Sequence, residues 1–366
     1  MEQLAPVVWS AIELAATSRL TISSRWKKTS EGSLLSAWSG SSIRFIYSGS
    51  ALELKFGSRT ERKDRWNGGT QMLECSVIPT TSRSSDLRRE QIRRFDAELG
   101  FVFSLPLIGE KCTVCVTHID WASVVEVESF LVGAGEIIEP FTEAEQWPTV
   151  MVMGDSISCG YAPSEKEPIL RGCLDAFPHR AQRILADTCS LSLNIELVAY
   201  PGASLVEPTD EECADGIPFS ILTKFFDHSP WSHHKWEISG MPTVIVIALG
   251  TNDESNDVSF DRFIDELNTF NKTLIKVFPS VKDIWLIPPF EDFNETGHSE
   301  FRQHLLSGSH AVHFSVDLPV RICDLQNVMT KDLTVDGLHP TVKGQEILAN
   351  SFAEFARLWF GAISIP

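Results

Sequence analysis

No apolar run in this chain of 366 residues approaches the ~20 that a membrane-crossing helix needs, and stretches such as TVIVIAL at 243–249 stop far short of it. A bilayer is therefore not an expected partner. Basic residues are also scarce. The 31 Lys and Arg stand against 49 Asp and Glu, a formal charge of -18, which repels a phosphate backbone at long range. Nucleic acid is not expected either, and the acidic surface reads as solubility. Cysteine, at eight residues, is too sparse for a disulfide scaffold. Only Cys112 and Cys115 have metal-ligand spacing, and no second such pair answers them. In the strand-like run KCTVCVTHI their side chains point to opposite sheet faces, so buried free thiols are expected and a metal is not. The amino terminus, with Glu2 and Glu13, lacks the basic start and apolar core of a secretory signal. The expectation is a cytoplasmic, monomeric protein. The triplets at Asn271 and Asn294 would matter only on export.

What is present is enough to fold. With 43% hydrophobic and 22% charged residues, the chain can bury a full core, and its length predicts two to three domains. From about Leu20 to Ile138, short β-rich runs (SSIRFIYS, SALELKFG, QMLECSVIP, VVEVESFLVG) are broken by Gly, Ser, Pro and Asn. That spacing predicts an antiparallel β-sandwich of the jelly-roll kind over residues 1–140. The basic segment 82–95 within it reads as a solvated loop or short helix, and the acidic, proline-containing stretch 136–148 as a linker.

After Pro148 the pattern changes. Apolar strands (TVMVMGDS, LNIELVAYPG, PTVIVIALGT, DIWLIPP) alternate with amphipathic helices, among them 260–278 and a final one from Pro340 to Trp359. In the last, Leu348, Phe352, Phe355 and Trp359 mark one apolar face. Continuous apolar strands between helices imply a parallel sheet covered on both sides, so residues 141–366 are predicted to be an α/β three-layer sandwich.

Ligands of an open parallel sheet bind beyond the carboxyl ends of its strands. Polar residues gather at those ends: Gly154-Asp155-Ser156-Ile157, Tyr200-Pro201-Gly202, Gly250-Thr251-Asn252-Asp253 and, before the last helix, Asp336-Gly337-Leu338-His339-Pro340. A serine at a strand-to-helix turn is placed as a nucleophile with its own N–H beside it, although a serine there equally suits a helix cap. His339, three residues after Asp336, has the spacing of a base whose tautomer a carboxylate fixes, or of an unremarkable surface pair. Asn252 and Gly202 supply the donor types that stabilise an oxyanion, or simply make turns. In the segment 225–239, Trp236 reads as core, Trp231 as a substrate contact, and the adjacent His233 and His234 as unsuited to sharing one ion.

The four clusters occur in the order of the four sequence blocks of the SGNH (GDSL) hydrolases, and residues 148–366 resemble that superfamily. The resemblance implies a flavodoxin-like α/β/α fold and an ester hydrolase without metal or organic cofactor. It assigns Ser156 as nucleophile, His339 as base and Asp336 as orienting acid, with Ser156 N–H, Gly202 N–H and Asn252 Nδ2 as the oxyanion hole. The amino-terminal half, through Ser24-Arg25-Trp26, Trp38-Ser39-Gly40-Ser41-Ser42-Ile43, Arg44-Phe45 and Gly49-Ser50-Ala51-Leu52, resembles the jelly-roll domain of carbohydrate esterase family two. Ala162 stands where that pattern often has glycine, and Pro201 and Ala203 flank Gly202 in place of a Ser-Gly-x-Gly run. The expected activity is removal of a small acyl group, acetyl first, from a sugar or small-molecule ester. An acyltransferase or lactone-handling enzyme, and an inactive carbohydrate-binding protein, are the alternatives.

Overall fold

The computed structural model describes residues 7–362 except 24, 50, 65–67, 81–90, 107–110, 135, 165–166, 210–219, 296–298, 308–313 and 315–317. Residues 7–140 run β1 (Val7–Ser10), α1 (Ala11–Ala16), β2 (Thr21–Ile22), β3 (Lys27–Lys28), β4 (Leu34–Ser36), β5 (Ser42–Ser48), β6 (Ala51–Phe56), β7 (Glu61–Arg62), β8 (Leu73–Pro79), β9 (Gln91–Phe95), β10 (Val102–Pro106), β11 (Lys111–His118), β12 (Ser123–Val132) and β13 (Ile137–Pro140). Two antiparallel sheets result. One is ordered β10-β6-β12-β4-β3, with β1 and β7 also on β12, and the other β13-β5-β11-β8-β9, with β2 on β5. Period-2 alternation builds the layer between them: Ile43, Phe45 and Tyr47 of β5 are buried while Arg44, Ile46 and Ser48 are half-exposed. Phe45 meets Phe130 of the facing sheet edge-on, ring centroids 5.6 Å apart.

The second half runs β14 (Thr149–Gly154), α2 (Ser156–Cys159), α3 (Phe177–Cys189), β15 (Asn194–Ala199), α4 (Ile221–Lys224), β16 (Pro242–Ala248), α5 (Thr251–Ser255), α6 (Phe260–Val277), β17 (Asp283–Leu286), α7 (Glu300–Ser307), β18 (Val320–Ile322) and α8 (Val342–Ala362). Its five strands are parallel in the order β15-β14-β16-β17-β18. This second-first-third-fourth-fifth order is the flavodoxin-like one, and it reverses direction between β14 and β16, where such sheets open a crevice. Helices cover both faces. Right-handed crossovers place α3 and α6 on opposite sides because β14→β15 and β16→β17 step in opposite directions. α8 joins α3 through Phe177 and Phe352, 5.5 Å apart, and grips Trp285 of β17 with Phe352, Phe355 and Trp359.

Several expectations change. The basic segment is neither loop nor helix where it is described. Gln91–Phe95 is strand β9, paired with β8 at the sheet edge, where exposed Arg93 discourages further strand addition; the residues before Gln91, back to 81, lie outside the described set. The supposed linker begins as β13, paired with β5. The last helix starts after Thr341, whose hydroxyl takes the Gly344 N–H at 3.0 Å, and not at Pro340. β18 and α7 carry too few apolar positions to announce themselves. Cys189 is exposed, Cys213 is undescribed, and Cys75, Cys112, Cys159, Cys173 and Cys323 are buried free thiols.

The sandwich and the α/β layers share packed surface. Ile119, Trp121 and Ala122, from the turn between β11 and β12, belong to the same apolar cluster as β14 and β16. Arg25 donates to Phe225 O at 2.7 Å, and its guanidinium lies 3.6 Å from the Trp236 ring. Trp38 Nε1 reaches Asp227 O at 3.3 Å. Ala162, the departure from the family pattern, is buried against Gly68 of the sandwich, where a Cβ on Gly68 would come within 2.9 Å of Ala162 O.

Candidate active site

Strand β14 ends at Gly154, and the chain turns at once into α2. Asp155 is the residue that caps this turn, its Oδ1 accepting the Ile157 N–H at 3.0 Å. The serine is thus not the cap, and its hydroxyl is left for other work. Burial pushes the Asp155 carboxyl up to about 6, against the opposing pull of the Ile157 N–H and of His339. After one turn α2 stops at Gly160 in the left-handed region (φ 75), where a Cβ would come within 2.6 Å of Gly172 O. From α8, buried Gln345 donates to Ile157 O at 2.9 Å and accepts the Phe177 N–H at 2.8 Å, so one amide fastens the serine turn to α3 and α8.

Ser156 Oγ lies 3.0 Å from His339 Nε2, and His339 Nδ1 lies 2.7 Å from Asp336 Oδ2. The other Asp336 oxygen accepts the backbone N–H groups of His339 at 2.8 Å and Leu338 at 3.1 Å. Partial burial by itself would raise the Asp336 carboxyl. Hydrogen bonds from the His339 ring and from both backbone groups outweigh it and hold the carboxyl well below the usual carboxylate range. Gly337 makes the tight turn possible at φ 102, and Asn294 Nδ2 supports it by donating to Asp336 O at 2.5 Å. Tyr161 packs against the imidazole, centroids 4.9 Å apart.

Beyond β15 and β16 the other two loops are stitched together. Asn252 Nδ2 donates to Ala203 O at 3.0 Å, and Asp253 accepts the N–H groups of Leu205 and Val206, each at 2.8 Å, through its two oxygens. Asp253 is fully buried, and burial pushes its carboxyl up to about 7 against those two hydrogen bonds. Gly202 stands beside them in the left-handed region at φ 78. Thr251 Oγ1 accepts the Phe290 N–H at 3.0 Å, which seats the start of α5.

Ser156, Gly202, Asn252 and His339 line one cleft of about 350 Å³, together with Asp64, Trp121, Tyr161, Tyr200, Pro201, Thr251 and Leu338. Asp336 stands behind His339. The structure therefore brings five of the six sequence-derived site residues together. Trp231 is not among the lining residues: it stands behind Tyr200, rings 5.8 Å apart and nearly perpendicular, and packs on Leu35, Ala37 and Val124 of the sandwich. A residue chosen for its aromatic character thus fills the seam, because the sandwich presents apolar surface just there. Trp236 is buried as expected, while His234 stacks on His228 and not on His233. Among the described residues no group of three or more His, Cys, Asp or Glu could hold a metal ion. Of the two glycan-acceptor triplets, Asn271 is fully buried in α6.

Of the other lining residues, Tyr200, Pro201, Thr251 and Leu338 sit inside the polar clusters of the sequence, whereas Tyr161, Asp64 and Trp121 do not. Asp64 and Trp121 come from loops of the sandwich, where no motif marks them.

The fold has counterparts among solved structures. The structure matches a family two carbohydrate esterase from Cellvibrio japonicus with a TM-score of 0.72 at 16% identity, over 97% of this chain and 98% of that one. It also matches an acetyl xylan esterase from Butyrivibrio proteoclasticus (0.63, 12% identity, 98% and 100% covered) and a salicylyl-acyltransferase from a tetracycline biosynthetic pathway (0.62, 16%, 97% and 98%). At such identities the likeness speaks for the fold. No curated protein sequence matches the chain. Residues 150–352, which carry every strand and helix from β14 to most of α8, match the model of the GDSL-like lipase/acylhydrolase family, and with more than half its length so matched the chain belongs to that family.

Proposed function

We propose that the protein is a serine esterase that removes a small acyl group, acetyl first, from a hydroxyl of a sugar or small-molecule alcohol. The observation that carries this reading is the continuous contact from Ser156 Oγ to His339 Nε2 at 3.0 Å and from Nδ1 to Asp336 at 2.7 Å. In this reading His339 takes the hydroxyl proton as Ser156 Oγ bonds to the acyl carbon. The negative charge that forms on the carbonyl oxygen is met by the N–H groups of Ser156 and Gly202 and by the Asn252 amide. Ser156 opens α2, and the first N–H groups of a helix have no intrahelical acceptor, which leaves its own available. The tetrahedral species collapses as the C–O bond to the alcohol breaks and His339 returns the proton to the leaving oxygen. Water then repeats the sequence on the acyl-enzyme: it loses a proton to His339, adds to the acyl carbon and releases the carboxylic acid and free Ser156. Asp336 stays ionised throughout, fixing the imidazole tautomer and stabilising the imidazolium.

The fold shared with an acetyl xylan esterase supports the small-acyl part of the reading, and the fold shared with an acyltransferase makes an alcohol the alternative acceptor at the second step. The test is a panel of acetyl to octanoyl aryl esters and acetylated sugars, read for acid release and acyl transfer together, with fluorophosphonate labelling of the protein. Acetyl esters cleaved best, with Ser156 labelled, is the expected result; octanoate cleaved faster than acetate would overturn the small-acyl assignment.

A further inference from the structure

Among the described residues, the sandwich places one ionisable side chain, Asp64, in the lining of the cleft, and backbone hydrogen bonds fix its loop. The N–H groups of Lys63 and Asp64 both donate to Ala122 O, at 2.7 and 3.0 Å, so the loop after β7 is pinned to the turn that holds Trp121. Just before it, Arg62 donates to Asp120 at 2.8 Å and to Asp96 at 2.8 Å, and Asp120 is itself fully buried against His118 and Ser123. On the far side, the Tyr200 hydroxyl donates to Asp64 Oδ2 at 3.1 Å. Tyr200 is in turn held edge-on between Trp121 and Trp231, at 5.6 and 5.8 Å. The carboxylate is thus oriented before any ligand arrives, which removes an ordering cost from recognition.

An ionised carboxylate accepts hydrogen bonds at about four positions and donates none. One of these goes to Tyr200. A molecule in the cleft that engages Asp64 must bring a donor. The acyl part of a simple ester has none, and its carbonyl oxygen belongs at Ser156, Gly202 and Asn252. The donor must sit on the alcohol part.

We infer that Asp64 is a specificity-determining residue that accepts a hydrogen bond from a free hydroxyl on the alcohol part of the ester, so that the protein selects partly acylated polyols over esters of alcohols without a second hydroxyl. The inference rests on the esterase reading above and deepens it by naming the substrate class.

The test compares three substrates: 4-nitrophenyl acetate, a mono-O-acetyl methyl glycoside with its neighbouring hydroxyl free, and the same glycoside with that hydroxyl O-methylated. For the unaltered protein, kcat/KM for the free-hydroxyl glycoside should exceed that for the methylated one by about 10–100-fold, as expected for a hydrogen bond to a charged group. Asp64→Asn and Asp64→Ala should collapse that ratio toward unity, chiefly through KM. Tyr200→Phe, which removes the hydroxyl that orients Asp64 and leaves its charge, should lower the ratio by a smaller factor. A ratio unmoved by either Asp64 change overturns the inference, as does an equal loss on all three substrates, which would mark a merely structural role. If the unaltered protein releases acetate from none of the three and Ser156 resists fluorophosphonate, it is the esterase reading that fails.

Discussion

Asn252 is tied to Ala203, its Nδ2 donating to the backbone oxygen at 3.0 Å, so the loop after β16 is fixed to the loop after β15 by the same carboxamide that faces the cleft. One amide N–H is used by this contact, and in the proposed mechanism the other meets the developing oxyanion. Asn252→Ala should therefore lower kcat by roughly 10²–10³ with little change in KM. Steady-state kinetics on an aryl acetate decide it; normal turnover with weakened binding would make Asn252 a ground-state contact.

Ser156→Ala should abolish covalent labelling and reduce activity by on the order of 10³-fold or more, since members of such a unit do not act independently. Because Asp155 and not the serine caps α2, the alanine variant keeps the helix cap and should still fold, as thermal melting would show. Retained labelling would remove Ser156 from the role.

His339→Ala should be about as damaging as loss of the serine, whereas Asp336→Asn should leave a measurable remnant, because the imidazole is then poorly oriented but still present. An Asp336→Asn variant as fast as the unaltered protein on an aryl acetate would show that the 2.7 Å contact is dispensable.

Asp253 gives a pH signature. Its folded value of about 7 lies above the roughly 3.9 of an unfolded chain, so between those limits the folded state holds a proton that the unfolded state has released. Stability contributed in this way is full below about pH 4 and is lost as pH rises through 7. Asp253→Asn cannot titrate, so the difference in unfolding free energy between the unaltered protein and the variant should shrink from pH 5 to pH 8. Urea denaturation at intervals of one pH unit measures it; a difference that grows with pH would reverse the sign.

Arg25 spans the seam, buried at 3% exposure, with its guanidinium on Trp236 and one donor on Phe225 O. Arg25→Ala strips a buried carbonyl of its donor and should cost roughly 1–3 kcal/mol, plus the packing of the lost stem. Arg25→Met, which keeps much of that stem without the cost of burying a cation, should be less damaging. Equal loss in the two variants would mean that the charge, and not the packing, holds the seam.

The sequence by itself determined the α/β alternation, the β-rich first half and four of the polar loops, because each is written locally: apolar period, turn residues, and a serine, glycine, asparagine or histidine at a strand end. Ser156 and His339 could be named from sequence through the resemblance of their blocks to the SGNH hydrolases, since each by itself equally fitted a helix cap or a surface pair. What it left open, tertiary structure decided. Whether Ser156 served as cap or stood free depended on how Asp155 turned its carboxylate toward Ile157. The place of Trp231 depended on apolar surface more than a hundred residues earlier, at Leu35 and Val124, and no local spacing encodes that meeting. The same holds for Asp64 and Trp121, which enter the cleft only because the sandwich packs against the carboxyl ends of β14 and β16. Residues that meet across such a seam are brought together by packing between distant segments, and a single sequence carries no period or motif in which that packing can be read.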